Sequence, residues 1–107
     1  MRRRYIAVKI VGDHEFEEGD FYDAVWASIL RLFGEYGASQ AGLLLVDYDR
    51  VAKQAILRCS REALDSVKAS TVAITAIRNA KATVHIVSVS GTLRALRKKV
   101  RNPKSTC

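Results

Sequence analysis

Along this chain the hydrophobic period switches from two to about 3.6 and back, in an order that few folds can absorb. Residues 4–11 alternate, with Ile6, Val8 and Ile10 on one side and Tyr5, Ala7, Lys9 and Val11 on the other, which predicts a strand with one fully apolar face. Gly12 and an acidic run break the pattern. Asp20 then stands as an N-cap before Phe21, Val25, Ser28, Ile29, Leu32 and Phe33 at helical spacing, and Gly34 and Gly37 offer a stop, so a helix is predicted over 21–36. The runs 42–48 and 51–59 read as strands joined by a hairpin around Asp47 to Arg50. Ser60 can cap a second helix carrying Leu64, Val67, Thr71, Ile74 and Ile77, with only Asn79 to stop it. Residues 82–90 are rich in β-branched side chains and predict another strand, ended by Gly91. Thr92 caps a third helix over about 93–102, in which Leu93, Leu96 and Val100 form a narrow apolar stripe beside Arg94, Arg97, Lys98 and Arg101; Pro103 marks its exit.

The order strand, helix, strand, strand, helix, strand is the split βαββαβ arrangement. Right-handed crossovers place both long helices on one face of a four-stranded antiparallel sheet. The expected class is therefore α+β, ferredoxin-like or RNA-recognition-like, with the other sheet face open or covered by the basic C-terminal helix. At 107 residues one core suffices, so 1–107 reads as a single domain. No stretch approaches the roughly 18 apolar residues of a membrane span. Cys59 and Cys107 cannot build a disulfide framework and no apolar leader opens the sequence, so a reducing, cytoplasmic setting is expected.

Charge is distributed unevenly. Of the net +7, Arg2, Arg3 and Arg4 supply three charges and Arg94, Arg97, Lys98, Lys99, Arg101 and Lys104 six, leaving 9 basic against 11 acidic residues, or −2, between them. From Asp13 to Asp23 there are six carboxylates and no Lys or Arg, whereas nine basic residues and no acid follow Asp65. Such separation suits an anionic partner at the basic end, nucleic acid first, against the plainer role of a solubilising surface.

Candidate chemistry elsewhere is sparse. Asp47 and Asp49 have the composition for a hydrated magnesium ion, but their place in a tight connection favours turn roles. The acidic run lacks calcium-loop spacing. His14 and His85 have no Cys or second His at ligand spacing, and His85 becomes a general base only if Ser88, Ser90 or Cys59 meets it in space. Cys59 alternates with Leu57 and Ala55, the pattern of a small buried residue. Ser90-Gly91-Thr92 is a strand-to-helix turn whose N–H groups offer a secondary place for a phosphate. Trp26 and Tyr22 flank the first helix's stripe and either finish the core or form an aromatic patch, with core favoured for Trp26. Tyr5 has the parity of a base-stacking residue, but residues 53–58 bring no aromatic, so phosphate or shape recognition is expected rather than single-strand reading.

Several short runs together carry a resemblance: Arg4-Tyr-Ile-Ala7, Ala24-Val-Trp26, Leu30-Arg31, Gly34-Glu-Tyr-Gly37, Ile56-Leu-Arg-Cys59, Val89-Ser-Gly-Thr92 and Leu96-Arg-Lys98. In order and spacing, from Arg3 to Lys99, the chain resembles the archaeal ribonuclease P protein component 2 family, related to the eukaryotic Pop-type subunit. The resemblance implies an α/β sandwich similar to the RNA-recognition domain. It also implies a ribonucleoprotein in which the RNA subunit, using magnesium ions, removes the 5′ leader of precursor tRNA. The protein would bind no cofactor of its own and would pair with a second ribonuclease P protein, component 3, similar to the eukaryotic thirty-kilodalton subunit.

On this reading the chain is a non-catalytic subunit of an endoribonuclease, with ribonuclease P RNA and precursor tRNA as partners and no membrane. Arg2, Arg3, Arg4, Lys9, Arg94, Arg97, Lys98, Lys99 and Arg101 are the expected RNA-phosphate ligands, with Leu93, Leu96 and Val100 docking the tail helix. No catalytic or metal-binding residue is expected. Edge strands of an open sheet can pair between copies, which allows a homodimer of the isolated chain. The rivals are an RNA-independent protein-interaction module with a solubilising tail, and a small free-standing enzyme using His85 or Asp47 and Asp49.

Overall fold

The computed structural model describes residues 3–101, with side chains described as far as Arg97. Arg2, Pro103, Lys104, Cys107 and the side chains of Lys98, Lys99, Val100 and Arg101 lie outside what is described. The elements are β1 (Arg3–Val11), α1 (Glu18–Ala41), β2 (Leu44–Asp49), β3 (Gln54–Ser60), a 3-10 turn (Arg61–Ala63), α2 (Leu64–Val72), β4 (Ala76–Ile77), β5 (Ala80–Lys81), β6 (Thr83–Ser90) and α3 (Leu93–Arg101). The main sheet has the order β2-β3-β1-β6 with every neighbour antiparallel, as the split arrangement requires.

Alternation in β1 sorts the two faces. Ile6, Val8 and Ile10 are buried in the main core with Phe21, Val25 and Ile29 of α1, Leu57 and Cys59 of β3, and Val67 of α2. A buried hydrogen bond from Ser28 Oγ to the Ser70 carbonyl, 2.7 Å, ties α1 to α2. On the opposite face Ala7 and Ile56 form a smaller cluster with Leu96 of α3, flanked by Tyr5, Val46 and Leu93. The tail helix thus covers part of the second face, and its start is capped by Thr92, whose Oγ1 accepts the Ala95 N–H at 3.2 Å.

Several boundaries differ from the sequence expectation. The N-cap of α1 is Glu17, in extended conformation and without a side-chain cap bond, and Asp20 instead sits in the first turn. Gly34 does interrupt α1, with φ 76° and ψ 177°, but the chain resumes helical form as far as Ala41 before Gly42 ends it in the left-handed region. Leu32 and Phe33, expected in the buried stripe, are 45% and 43% exposed, next to the break in the helix at Gly34. Strand β3 begins at Gln54 rather than 51, and Asp49 shapes the preceding turn by accepting the Ala52 N–H at 3.0 Å. Ser60 does cap, accepting the Ala63 N–H at 3.3 Å. The helix that follows ends at Val72, well short of Ile77. Ile74 and Ile77 remain buried, but from extended chain: β4 and β5 form a hairpin whose central residues, Arg78 and Asn79, have φ of 50° and 66°, the signature of a type I′ turn.

Candidate nucleic-acid interface

The strand directions carry the sequence's charge separation into space. Arg3 and Arg4 open β1 opposite Ser60 and Cys59 of β3, and Arg61 follows directly. Tyr5 lies between Arg58 of β3 and Ser90 of β6, so the Ser90-Gly91-Thr92 turn and Arg94 of α3 join the same end. A side chain at Gly91 would meet the Arg4 guanidinium at 3.5 Å, so that charge lies over the turn. The other end of β1 leads through Gly12 into Asp13, Glu15, Glu17, Glu18, Asp20 and Asp23. The eight steps between the nine residues of this strand, at roughly 3.3 Å each, separate the poles by about 25 Å. Screening acts over about 8–10 Å at physiological salt, so the acidic pole does not cancel the field of the basic one.

Pairing sharpens the contrast. Arg50 bridges Glu15 and Glu17, Arg78 meets Asp20, and Arg97 meets Asp47 at 3.3 Å. Among the described residues Arg3, Arg4, Arg58, Arg61 and Arg94 have no carboxylate partner. Five arginines without a carboxylate partner therefore gather at one pole, where a polyanion meets them without first breaking an ion pair. Lys9, Arg31, Lys53, Lys68 and Lys81, elsewhere on the fold, are also without one among the described residues. Of the expected ligands, Arg3, Arg4 and Arg94 fall at this pole. Lys9 lies farther along β1, exposed, with its Nζ donating to the Ala52 carbonyl at 3.3 Å. Arg97 projects from α3 toward β2.

Arg58 was not among the expected ligands. It shares the face of Tyr5 and Ile56, and its Nε is buried without a hydrogen-bond acceptor. A half-buried guanidinium with an unmade bond is suited to an anion. The sequence signal was present, since Gln54, Ile56 and Arg58 share one parity, but it needed the β1–β3 register to be read.

The remaining candidates have structural roles. Asp47 accepts the Tyr48 N–H at 2.9 Å while paired with Arg97, and Asp49 closes the hairpin turn. Among the described residues no three metal-ligating side chains converge. His85 is exposed beside Lys9, and His14 lies 6.3 Å from the Phe16 ring. Cys59 is buried, and burial pushes its thiol up to about 11 against a smaller opposing pull from Arg4. Tyr48, whose hydroxyl donates to the Phe16 carbonyl, is also raised, by burial first and then by Glu17. Tyr22 and Trp26 both pack against the main core.

The chain belongs to the Rpp14/Pop5 family, whose model matches residues 4–101. It is 36% identical to ribonuclease P protein component 2 of Methanocaldococcus jannaschii, over 96% of this chain and 78% of that protein. It is 32% identical to the protein of the same name from Pyrococcus furiosus, over 92% of this chain and 82% of that one. A chain in the cryo-EM structure of yeast ribonuclease MRP superposes with a TM-score of 0.73 over 97% of this chain and 92% of that one; at 16% identity this likeness shows the fold.

Proposed function

We propose that this chain is a non-catalytic protein subunit of ribonuclease P that helps the RNA catalyst remove the 5′ leader of precursor tRNA. Its unpaired basic pole, Arg3, Arg4, Arg58 and Arg94, binds RNA phosphates, joined by Arg2, Lys9, Arg97, Lys98, Lys99 and Arg101. The observation that carries this reading is the gathering of carboxylate-free arginines at one end of a family member, about 25 Å from its acidic end. Magnesium serves the RNA and the protein itself holds no cofactor.

Pairing with a second ribonuclease P protein, the component 3 type, is supported by the helix layer. There Leu32, Phe33 and Tyr36 are 45%, 43% and 79% exposed within five residues of α1, a cluster of the kind that anchors protein contacts. The test is cleavage of precursor tRNA by an archaeal ribonuclease P RNA with its other proteins, at limiting magnesium, with this chain present and then omitted. A large loss of rate on omission is expected. An unchanged rate, with the partner proteins active, refutes the reading and favours an RNA-independent interaction module.

A further inference from the structure

Strand β2 carries a bulge whose effect falls on one side chain. Leu45 stands opposite Leu57, and regular pairing would set Val46 against Ile56 and Asp47 against Ala55, on the core face. The register shift instead sets Asp47 against Ile56, on the face where Leu96 of α3 packs. A carboxylate is thereby turned from the core side toward the tail helix, as bulges re-aim side chains elsewhere. Its direction is fixed as well: Oδ1 accepts the Tyr48 N–H at 2.9 Å, and Oδ2 accepts from Arg97 Nη2 at 3.3 Å.

The helix needs such a tie. α3 has nine residues, five of them basic and none acidic, and is too short to hold itself helical in water. It follows β6 directly and packs on β6 and β1, with Leu96 as its fully buried contact. Asp47 stands on β2, the opposite edge of the sheet. A helix anchored at Leu96 alone can still pivot, and a pair at the far edge fixes its angle. Among the described residues Asp47 is the one carboxylate paired with α3. The bond occupies one nitrogen of the half-exposed Arg97 guanidinium, whose other N–H donors stay open to a phosphate.

We propose that Asp47 is a positioning residue for RNA: it holds Arg97, and with it the basic flank of α3, in the arrangement that meets phosphates. The inference rests on the RNA-subunit reading above. It gives a carboxylate a favourable part in binding a polyanion, where its charge alone is repulsive.

Positioning and repulsion have opposite signs, so a double-mutant cycle separates them. The full chain, Asp47→Asn, Arg97→Ala and the double variant are titrated with an archaeal ribonuclease P RNA at several salt concentrations. Asp47→Asn should weaken binding about threefold while Arg97 is present, within what an exposed pair supports. In the Arg97→Ala background the same change should leave binding equal or tighter, because only repulsion is then removed. Asp47→Glu, which keeps the charge, should bind like the unsubstituted chain. Asn retains an oxygen for the Tyr48 N–H, so the thermal midpoint should hold. Unchanged or tighter binding by Asp47→Asn, equal in both backgrounds, makes Asp47 a plain surface charge and overturns the proposal. Tighter binding only when Arg97 is present makes Asp47 a mask over that cation and overturns it too. Either result leaves the RNA reading standing. A full chain without salt-dependent binding to this RNA overturns the RNA reading itself, and this proposal with it.

Discussion

Gly34 and Gly19 both lie within α1, and a methyl group at either would meet nothing within 4 Å. Replacing each by Ala therefore separates backbone conformation from packing. At Gly34 the φ of 76° and ψ of 177° fall in a region essentially reserved for glycine, costing about 1–3 kcal/mol for any other residue. Straightening the helix would recover about 1 kcal/mol of helix propensity. It would also swing the 35–41 segment, taking Ala38 and Ala41, each 1% exposed, out of the core and the Gln40 carbonyl away from Ser60 Oγ at 3.2 Å. Two methyl groups at about 0.8 kcal/mol each and a hydrogen bond at about 1 kcal/mol outweigh that gain. Gly34→Ala should thus remain bent and lose about 2 kcal/mol.

For a chain of this size that loss corresponds to a thermal midpoint lower by about 8–16 °C. Trp26, the single tryptophan, packs against the main core and reports the transition by fluorescence. Gly19→Ala, at ordinary helical angles, should raise the midpoint, by up to about 1 kcal/mol in stability. If the two variants move the midpoint in the same upward direction, the break at Gly34 is not held by its surroundings and the argument fails. The kink matters because Leu32, Phe33 and Tyr36, the proposed protein-docking cluster, flank it on either side.

Two other outcomes follow from the charges and the buried thiol. Changing Arg94, Arg97, Lys98 and Arg101 together to Ala should flatten the log–log salt dependence of structured-RNA binding by up to about 3, and an unchanged slope would refute their contact with phosphates. Cys59 titrates near 11 when folded and near 9 as a free thiol, so ionisation favours the unfolded chain in that window. Stability should be insensitive to this group below pH 9 and fall by a few kcal/mol toward pH 11; urea midpoints at pH 8 and 10.5 should show a drop that Cys59→Ala lacks.

The four long strands were legible because 4–11 alternates with period two, 82–90 is rich in β-branched residues, and the short Asp47–Arg50 connection between two strand-like runs dictated the hairpin. The end of α2 was not legible. Ile74 and Ile77 continue the spacing of Val67 and Thr71, so periodicity alone extends the helix, while the decisive positive φ values of Arg78 and Asn79 belong to residues with no strong turn signature together. The start of α1 was misplaced by three residues because Asp20 is the better cap by composition, yet the chain turns helical at Glu18 without any side-chain cap. For the site, the basic residues were visible one by one. That Arg50, Arg78 and Arg97 spend their charge on carboxylates, while Arg58 joins the unpaired set, depends on contacts between residues 30 or more positions apart.

The acidic pole completes this logic, because a polyanion approaching a protein with two opposite poles is guided as much by what it avoids as by what it meets. Asp13, Glu18 and Asp23 have no cationic partner among the described residues, so their repulsion is uncompensated. Changing them to Asn, Gln and Asn should raise affinity for arbitrary RNA and steepen its salt dependence, since the molecule then presents fewer wrong faces. The cost to α1 is modest, because charges in the first turn contribute only about 0.3–1 kcal/mol each. Stimulation of precursor tRNA cleavage should not rise with that affinity, because the added binding is in unproductive orientations. A parallel rise in both would mean that the acidic pole sets no orientation and acts only as solubilising charge.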